Sequence, residues 1–452
     1  IFLMTSYEKD NHQKMLIFLD ENHYFGRSKE SFIIEPQPLV PLISEKKEFV
    51  FSEKMTLMMK PFGHGALWPL LLTHHFFEHF KKLGKTKAFI RQVNNPIAGI
   101  DDGLMRFLSH CLQKKVFWGF ATCEKKVGSE EGMIVEKKEK DQLRIVNIEY
   151  TDFQKEGIQE KGVDGSDISI YPANTNLLFV DLNYMQLVIQ EHPFAKMILN
   201  MKTEIVVNGE KYKAGRLELL MQGLADYLNK EQVLVTKNYR EKTIAPTKRL
   251  KPKDGSYSDT PLAAYYLFQK NYHFLLEECG FKIPQLRAFE SYIQKDMPLH
   301  IDLHASLGPM FSAICKKIAN GSMKLFSELQ LQLSDARIDQ MDLDGSFVVI
   351  ATDPFGKKNL EKNIYYSNNT GRLIMENVKI ENKGIDRQAQ NIFWKNEIYR
   401  KESFKIILQG SAEAVIQNCT IKGNLEVVIP DGQRWTLQNI NSDYRWIKEK
   451  IN

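Results

Sequence analysis

Cysteine is scarce in this sequence, with five among 452 residues, at Cys111, Cys123, Cys279, Cys315 and Cys419, and never as a Cys-x-x-Cys pair. An odd number of widely spaced thiols argues against a disulfide framework and against a zinc ribbon, and fits a reducing, cytoplasm-like compartment. No apolar run approaches the ~20 residues that a membrane-spanning helix needs. A Walker A loop and a dinucleotide-type G-x-G-x-x-G are both missing. Charge of one sign is missing too: 61 Lys+Arg against 56 Asp+Glu leaves +5, with the signs interspersed, so composition carries no nucleic-acid footprint. The chain opens on the apolar run Ile1-Phe2-Leu3-Met4 without an initiator Met, which reads as a buried strand entered part-way through a domain, and the expectation is a fragment.

What is present is material for two or three domains. Up to about residue 260, strand-like runs (Ile1 to Ser6, Ser31 to Ile34, Lys87 to Val93, Lys115 to Ala121, Leu143 to Tyr150, Asn176 to Asp181) alternate with helical patterns (Tyr7 to Glu21, Leu67 to Lys82, Gly103 to Lys114, Gly215 to Lys230). That alternation favours an α/β sheet with parallel members, whose ligands sit beyond the carboxyl ends of the strands. A basic, Pro-containing stretch, Arg240 to Asp254, reads as a linker or a phosphate-facing loop. Helical segments follow at Ala263 to Cys279 and Gly308 to Ala319. From about Met341 the texture is all strand: Ser346 to Ala351, Leu373 to Glu376, Phe404 to Leu408, Ala414 to Cys419, Leu425 to Ile429 and Trp435 to Leu437. Short, regular Gly/Asn/Asp punctuation there suggests a sandwich or, better, a stacked β-helix.

Several short motifs carry chemistry. His75-Phe76-Phe77-Glu78-His79 matches H-x-x-E-H, an inverted zinc-protease signature, although an ordinary helix with inward Phe side chains explains it as well. Lys60-Pro61-Phe62-Gly63-His64-Gly65-Ala66-Leu67-Trp68 places two glycines around a histidine just before a helix, where backbone N–H groups can approach a ligand; a tight turn with a solvated His is the plain alternative. Asn174 and Asn176 precede an apolar strand and could present amides to a polyhydroxylated ligand or simply make a turn. Glu149 and Glu218 are lone carboxylates in apolar contexts, as in sites that hold sugar hydroxyls or metals, or in structural pairs.

Taken in order, these blocks resemble the UDP-sugar pyrophosphorylase family, the UTP:sugar-1-phosphate uridylyltransferases, most of all the plastid-type UDP-glucose pyrophosphorylases of plants and their bacterial relatives. The matching blocks are Met4-Thr5-Ser6, Gln37-Pro38-Leu39-Val40-Pro41, Lys60 to Trp68, Arg91-Gln92-Val93-Asn94-Asn95, Glu131-Gly132, Ile148-Glu149-Tyr150-Thr151, Asn174-Thr175-Asn176-Leu177-Leu178, Leu217-Glu218 and Pro246-Thr247-Lys248. The resemblance implies a Rossmann-like, GT-A-like mixed sheet, truncated at its N-terminus, over 1–255, a helical continuation over 256–340 and a C-terminal β-helix-like domain over 341–452.

It further implies that Gln37 reads the uracil edge and that Gly63 and Gly65 pack against uracil and ribose. His64 would lie near the ribose or phosphates. Gly132, Glu149, Asn174, Asn176 and Glu218 would hold the sugar, and Lys248 would meet the phosphates as the catalytic cation. UTP and a sugar-1-phosphate would be the substrates, UDP-glucose or a similar UDP-sugar and pyrophosphate the products, with Mg²⁺ as cofactor and no nucleic acid or membrane involved. A homo-oligomer built through the β-helix, and a location in bacterial cytoplasm or plastid stroma, complete the expectation. Two departures stand out. The family's Gly-rich loop with its Lys is not in this sequence, and Asn94 stands where most members carry an Asp suited to binding metal, with Asp101 or Asp102 as a substitute. The competing reading is a catalytically impaired UDP-sugar-binding or scaffold protein of the same fold.

Overall fold

The computed structural model describes the chain apart from residues 53, 98–101, 140, 156, 208–209, 360–363, 367–369, 441–442 and 452. The chain divides into two compact units, one formed by Ile1–Gln92 and Phe107–Tyr239, the other by Val93–Arg106 and Arg240–Asn452. Texture along the sequence places divisions at 255 and 340 instead, because it cannot register that 93–106 joins residues far downstream.

The first unit is built on a six-stranded sheet in the order Val233–Asn238, Trp118–Cys123, Ala173–Asp181, Met133–Glu139, Gln142–Ile148, with Lys87–Ile90 also paired to Ala173–Asp181. It is a mixed sheet: Val233–Asn238 runs parallel to Trp118–Cys123, while the other ladders are antiparallel. Apolar alternation reports strands but not their direction, which is why the expected parallel character is only partly present. Trp118, Phe120, Leu178 and Val180 are buried on this sheet against Met185 and Ile189 of the helix Leu182–Glu191. Asp181 caps that helix, accepting from the Tyr184 N–H at 3.1 Å.

Two helix expectations change. Leu67 to Lys82 is two helices, Leu67–Thr73 and Phe76–Lys82, separated at His75, which takes φ +56°. Gly215 to Lys230 is not helical at its start: Glu210–Leu219 is a strand paired with Met197–Val207, followed by a 3₁₀ stretch, Met221–Tyr227. The short apolar run Leu217-Glu218-Leu219-Leu220 fits either period, and pairing with Met197–Val207 decides it.

The long helix of the second unit, Pro261–Glu278, is started by Thr260 as N-cap and Pro261 in its first turn. Apart from the hairpin of Lys357–Asn359 with Ile364–Tyr366, strands then alternate between two sheets as far as Gln433–Ile440. One runs Phe281–Lys282, Ile318–Met323, Asp335–Asp344, Arg372–Glu381, Glu413–Lys422, Gln433–Ile440; the other runs Leu299–Leu303, Ser327–Gln332, Ser346–Ala351, Phe404–Leu408, Leu425–Ile429. Neighbours within each sheet are parallel, and Asp443–Lys450 closes the first sheet antiparallel. This is a stacked coil of the β-helix type, and it begins well before Met341. Of the helix expected at Gly308 to Ala319, only Phe311–Ile314 is helical, and Ile318 already starts a strand.

Inward positions stack in register: Leu329, Phe347 and Phe404 form one row and Leu331, Val349, Ile406 and Val427 another, all buried. Asn320, Gln340, Asn377 and Asn418 each take positive φ at the bend of successive coils, and Asn377 donates to Asn418 at 3.0 Å. Asn tolerates the left-handed region better than most residues, so the periodic Asn of the sequence marks the coil corners.

Cys279 and Cys315 are joined in a disulfide, while Cys111, Cys123 and Cys419 are free and buried. A 36-residue separation gave no hint of this pair, because the folding of the first coil, not spacing, brings the end of the long helix beside Cys315. Phe404 is fully buried with its ring 5.3 Å from that of Phe347. Phe404→Ala should therefore cost about 3–5 kcal/mol, read as a lower urea midpoint for the unfolding of the coil.

Candidate active site

In the first unit the glycine turn forms as a packed element rather than a solvated loop. The Gln37 Oε1 accepts from the Gly63 N–H at 2.9 Å, and the Leu219 N–H donates to the Phe62 carbonyl at 2.8 Å. Gly63 has φ +97°, and a Cβ there would lie 2.5 Å from Glu218 Cγ; one on Gly65 would lie 2.6 Å from the carbonyl carbon of Leu219. Any side chain would prise the turn off the strand, so both glycines are required by close approach, and Gly63 by its φ as well. Lys60, at the start of the same block, pairs with Glu8 and holds its carboxyl below the usual range.

His64 follows from the same packing. Its Nδ1 lies 3.0 Å from the Met221 backbone nitrogen, and a backbone N–H can only donate. Nδ1 is therefore the acceptor, the ring is neutral, and its proton sits on Nε2. Desolvation pushes the imidazole below its ordinary value, with the Glu218 carboxylate pulling the other way.

Of the residues expected to hold a sugar, Gly132, Glu149, Asn174 and Asn176 form a second cluster in this unit, while Glu218 lies against the glycine turn. The Asn174 N–H donates to the Gly132 carbonyl at 2.8 Å, the Asn176 N–H donates to Asn174 Oδ1 at 3.0 Å, and Asn174 Nδ2 donates back to Asn176 Oδ1 at 3.0 Å. Asn176 takes φ +58° to permit this double turn. Glu149 accepts from Asn147 Nδ2 at 3.0 Å, and Glu218 accepts from Asn200 Nδ2 at 2.8 Å with Arg216 at 3.4 Å. Asn147, Asn200 and Gln222, which donates to Asn176 Oδ1, went unnoticed in the sequence. Asn147 had a signal, two residues before Glu149 on the same strand face; Gln222 had none.

The second unit holds Asn94 and Lys248. The Asn94 carbonyl accepts from the Thr247 N–H at 2.7 Å, and the buried Asn95 side chain clasps the Thr243 carbonyl and the Ala245 N–H, each at 2.9 Å. The Asn94 carbonyl and the Asn95 amide thus anchor the loop that presents Lys248, whose side chain is 61% exposed and whose ammonium is 3.9 Å from Asp259 Oδ2. Such a loose, exposed pair is worth little, which leaves the cation available to an anion.

The metal expectations fare differently. Among the described residues no group of three or more His, Cys, Asp or Glu could hold a metal ion. Asp101 and the side chain of Asp102 lie outside the described residues, and Asn94 offers one neutral amide. Among the described residues, therefore, the expected site offers this one neutral donor, where a protein-held Mg²⁺ favours carboxylates and water in octahedral array. The zinc reading of His75 and His79 does not assemble either: His75 is the left-handed N-cap outside the helix, and Glu78 accepts from Gln186 at 2.8 Å.

Because the folded-state pKa of His64 lies below the unfolded value, the unfolded chain binds more protons just under pH 6.5, and stability falls as pH drops through that value. His273, held down at about 4, contributes with the same sign. His64→Asn keeps an acceptor for Met221 but removes the titration, so its Tm should fall less than that of the unsubstituted protein between pH 7.5 and 5.5.

Comparison with known proteins agrees with this geometry. The family profile for UTP–glucose-1-phosphate uridylyltransferase matches residues 1–227, and that for UGP3-like C-terminal hexapeptide repeats matches residues 318–452. The chain is 31% identical over 476 positions to UTP–glucose-1-phosphate uridylyltransferase 3, chloroplastic, of Arabidopsis thaliana, covering 98% of this chain and 54% of that protein. It is 25% identical over 154 residues to the Saccharomyces cerevisiae UDP-N-acetylglucosamine pyrophosphorylase, covering 33% of this chain and 30% of that protein. The chain thus spans about half the length, or less, of these curated relatives. Among solved structures, the UDP-N-acetylglucosamine pyrophosphorylase of Trypanosoma brucei shares the fold with a TM-score of 0.50 at 21% identity, over 62% of this chain and 55% of that one. The provisionally assigned UDP-N-acetylglucosamine pyrophosphorylase of Entamoeba histolytica does so with a TM-score of 0.56 at 15% identity, over 73% and 77%. With half of its length matched by the family profile, the chain belongs to the UTP–glucose-1-phosphate uridylyltransferase family.

Proposed function

We propose that the protein is a uridylyltransferase that forms UDP-glucose or a similar UDP-sugar, with pyrophosphate, from UTP and a sugar-1-phosphate. The observation that carries this reading is the gathering, in one unit, of the Gln37–Gly63 clasp, the neutral His64 and the Gly132, Glu149, Asn174 and Asn176 cluster. Gln37 spends its Oε1 on the Gly63 N–H, which leaves its Nε2 to donate to a uracil carbonyl. Asn and Glu side chains on the other cluster suit sugar hydroxyls, which both donate and accept.

Transfer at phosphorus needs no covalent nucleophile from the protein. It needs in-line positioning and cations for the charge that develops on the transferring and leaving oxygens. Lys248 is the cation for this role, and the Asn94 and Asn95 clasps position its loop. Mg²⁺ belongs to the substrate in this scheme, carried on the triphosphate and pyrophosphate oxygens. The finer fold assignment, a GT-A-like nucleotidyltransferase sheet, belongs to the same reading. So does a plastid location, which the chloroplastic Arabidopsis relative supports.

The test uses the full-length protein with Mg²⁺. Pyrophosphate should appear only when UTP and a sugar-1-phosphate are both present. Lys248→Ala should lower kcat by about 10²-fold or more, the loss typical of removing one transition-state charge contact, with stability changed by less than ~0.5 kcal/mol because the side chain is exposed. UDP-sugar binding without pyrophosphate release would instead identify a binding protein of the same fold.

A further inference from the structure

Two buried amides in the sugar cluster have their orientation dictated by neighbours whose hydrogen-bonding roles cannot be reversed. The first chain of reasoning starts at the Asn176 backbone N–H, which can only donate, so the atom it meets is Asn174 Oδ1. The other end of the Asn174 amide is then Nδ2, which donates to Asn176 Oδ1. Gln222 meets that same oxygen, so it must present Nε2. Its Oε1 is the remaining end. The second chain starts at Glu149, whose carboxylate accepts from Asn147 Nδ2, so that Asn147 keeps Oδ1 as its other end.

Both leftover oxygens lack a hydrogen-bond partner among the described residues, and both side chains are almost entirely buried, at 1% exposure for Asn147 and 2% for Gln222. A buried acceptor without a donor is expensive and uncommon in folded proteins. Asn147 Oδ1 lies beside Gly132, only 2.8 Å from where a Cβ on that residue would sit. Gln222 stands between Met221, whose N–H holds His64, and Gly223, which packs on Lys196. Lys196 in turn donates to the Asn147 carbonyl at 2.6 Å, so a single contact chain links the two amides. Neither residue belongs to the blocks that carry the family resemblance.

We infer that Asn147 and Gln222 are specificity-determining residues of the sugar site, each reserving an amide oxygen for a hydroxyl proton of the bound sugar. This rests on the uridylyltransferase reading for the identity of the ligand, but not on turnover. The substrate class it selects is a sugar with free hydroxyls on the face the two amides line. A substituent that accepts but cannot donate, such as fluorine or a methyl ether, leaves the buried oxygen unpaired and is rejected. Sites built to hydrogen-bond a substrate hydroxyl discriminate strongly against analogues that lack it.

The experiment is a substrate-by-variant cycle on the full-length protein, read as Kd by calorimetry. The ligands are UDP-glucose and its 2-, 3-, 4- and 6-deoxyfluoro analogues, and the proteins are the unsubstituted form, Gln222→Met and Asn147→Leu. For the unsubstituted protein, at least one analogue should bind about tenfold or more weakly than UDP-glucose. Gln222→Met should weaken UDP-glucose by a similar factor yet leave one fluoro analogue within about threefold, so that the penalty is not paid twice. Asn147→Leu should do the same at one position.

Equal weakening of all five ligands, or no change for any, would overturn the inference, since a merely structural amide predicts no dependence on the ligand hydroxyl. Should Asn147→Leu unfold, shown by loss of its thermal transition, Gln222→Met carries the decision alone. Pyrophosphate release is scored separately. Its absence with the cycle intact would remove the transferase reading and leave the sugar recognition standing, while absence of all UDP-glucose binding would remove both.

Discussion

The close approach of the Gly63-His64-Gly65 turn to the strand end Glu218-Leu219-Leu220 is the contact on which the first unit's chemistry depends. Two missing side chains let backbone meet backbone at distances no Cβ would tolerate. That contact fixes three things together. It presents the Gly63 N–H to Gln37, brings His64 onto the Met221 N–H, and sets Glu218 beside the imidazole. Stretches near residues 37, 64 and 220 become one site because a turn without bulk can lie flat on a strand.

Hydrogen-bond logic does the rest of the work there. Main-chain N–H groups and carboxylates have fixed roles, and amides have two different ends, so one irreversible donor can orient a chain of side chains. The Asn174, Asn176 and Gln222 series is oriented this way from a single backbone N–H. Low local dielectric makes such a series stiff when satisfied and costly where an end is left over. In the second unit, the same chemistry serves a different purpose: Asn95 satisfies both a carbonyl and an N–H of the Lys248 loop, so an exposed cation sits on an ordered support.

Much of this was legible beforehand, and the reasons are local. The strands Ser346–Ala351, Phe404–Leu408 and Leu425–Ile429 match their sequence reading end to end, because five- and six-residue runs rich in Val, Ile and Phe and bounded by turn residues are too short for a helix. The order of the short blocks around Gln37, Gly63, Glu149 and Asn174 pointed to the family, although each block alone was weak. Less legible were Leu217 to Leu220, where a short apolar run fits two periods, and the helix break at His75, where a left-handed residue interrupts a pattern that otherwise reads as continuous. The Cys279–Cys315 pair was invisible, since its partners meet only after the long helix and the first coil have folded.

By itself the sequence determined where strands, turns and coil corners fall, because those follow from the period of apolar residues and from glycine and asparagine tolerating positive φ. It also determined the inventory of amides, carboxylates and cations available to a polyhydroxylated, anionic ligand. Only the tertiary structure decided strand direction, the joining of 93–106 to residues beyond 240, and which end of each amide faces inward. These depend on contacts between residues distant in the chain, and a hydrogen bond's direction is set by the partner it finds, not by the residue that carries it.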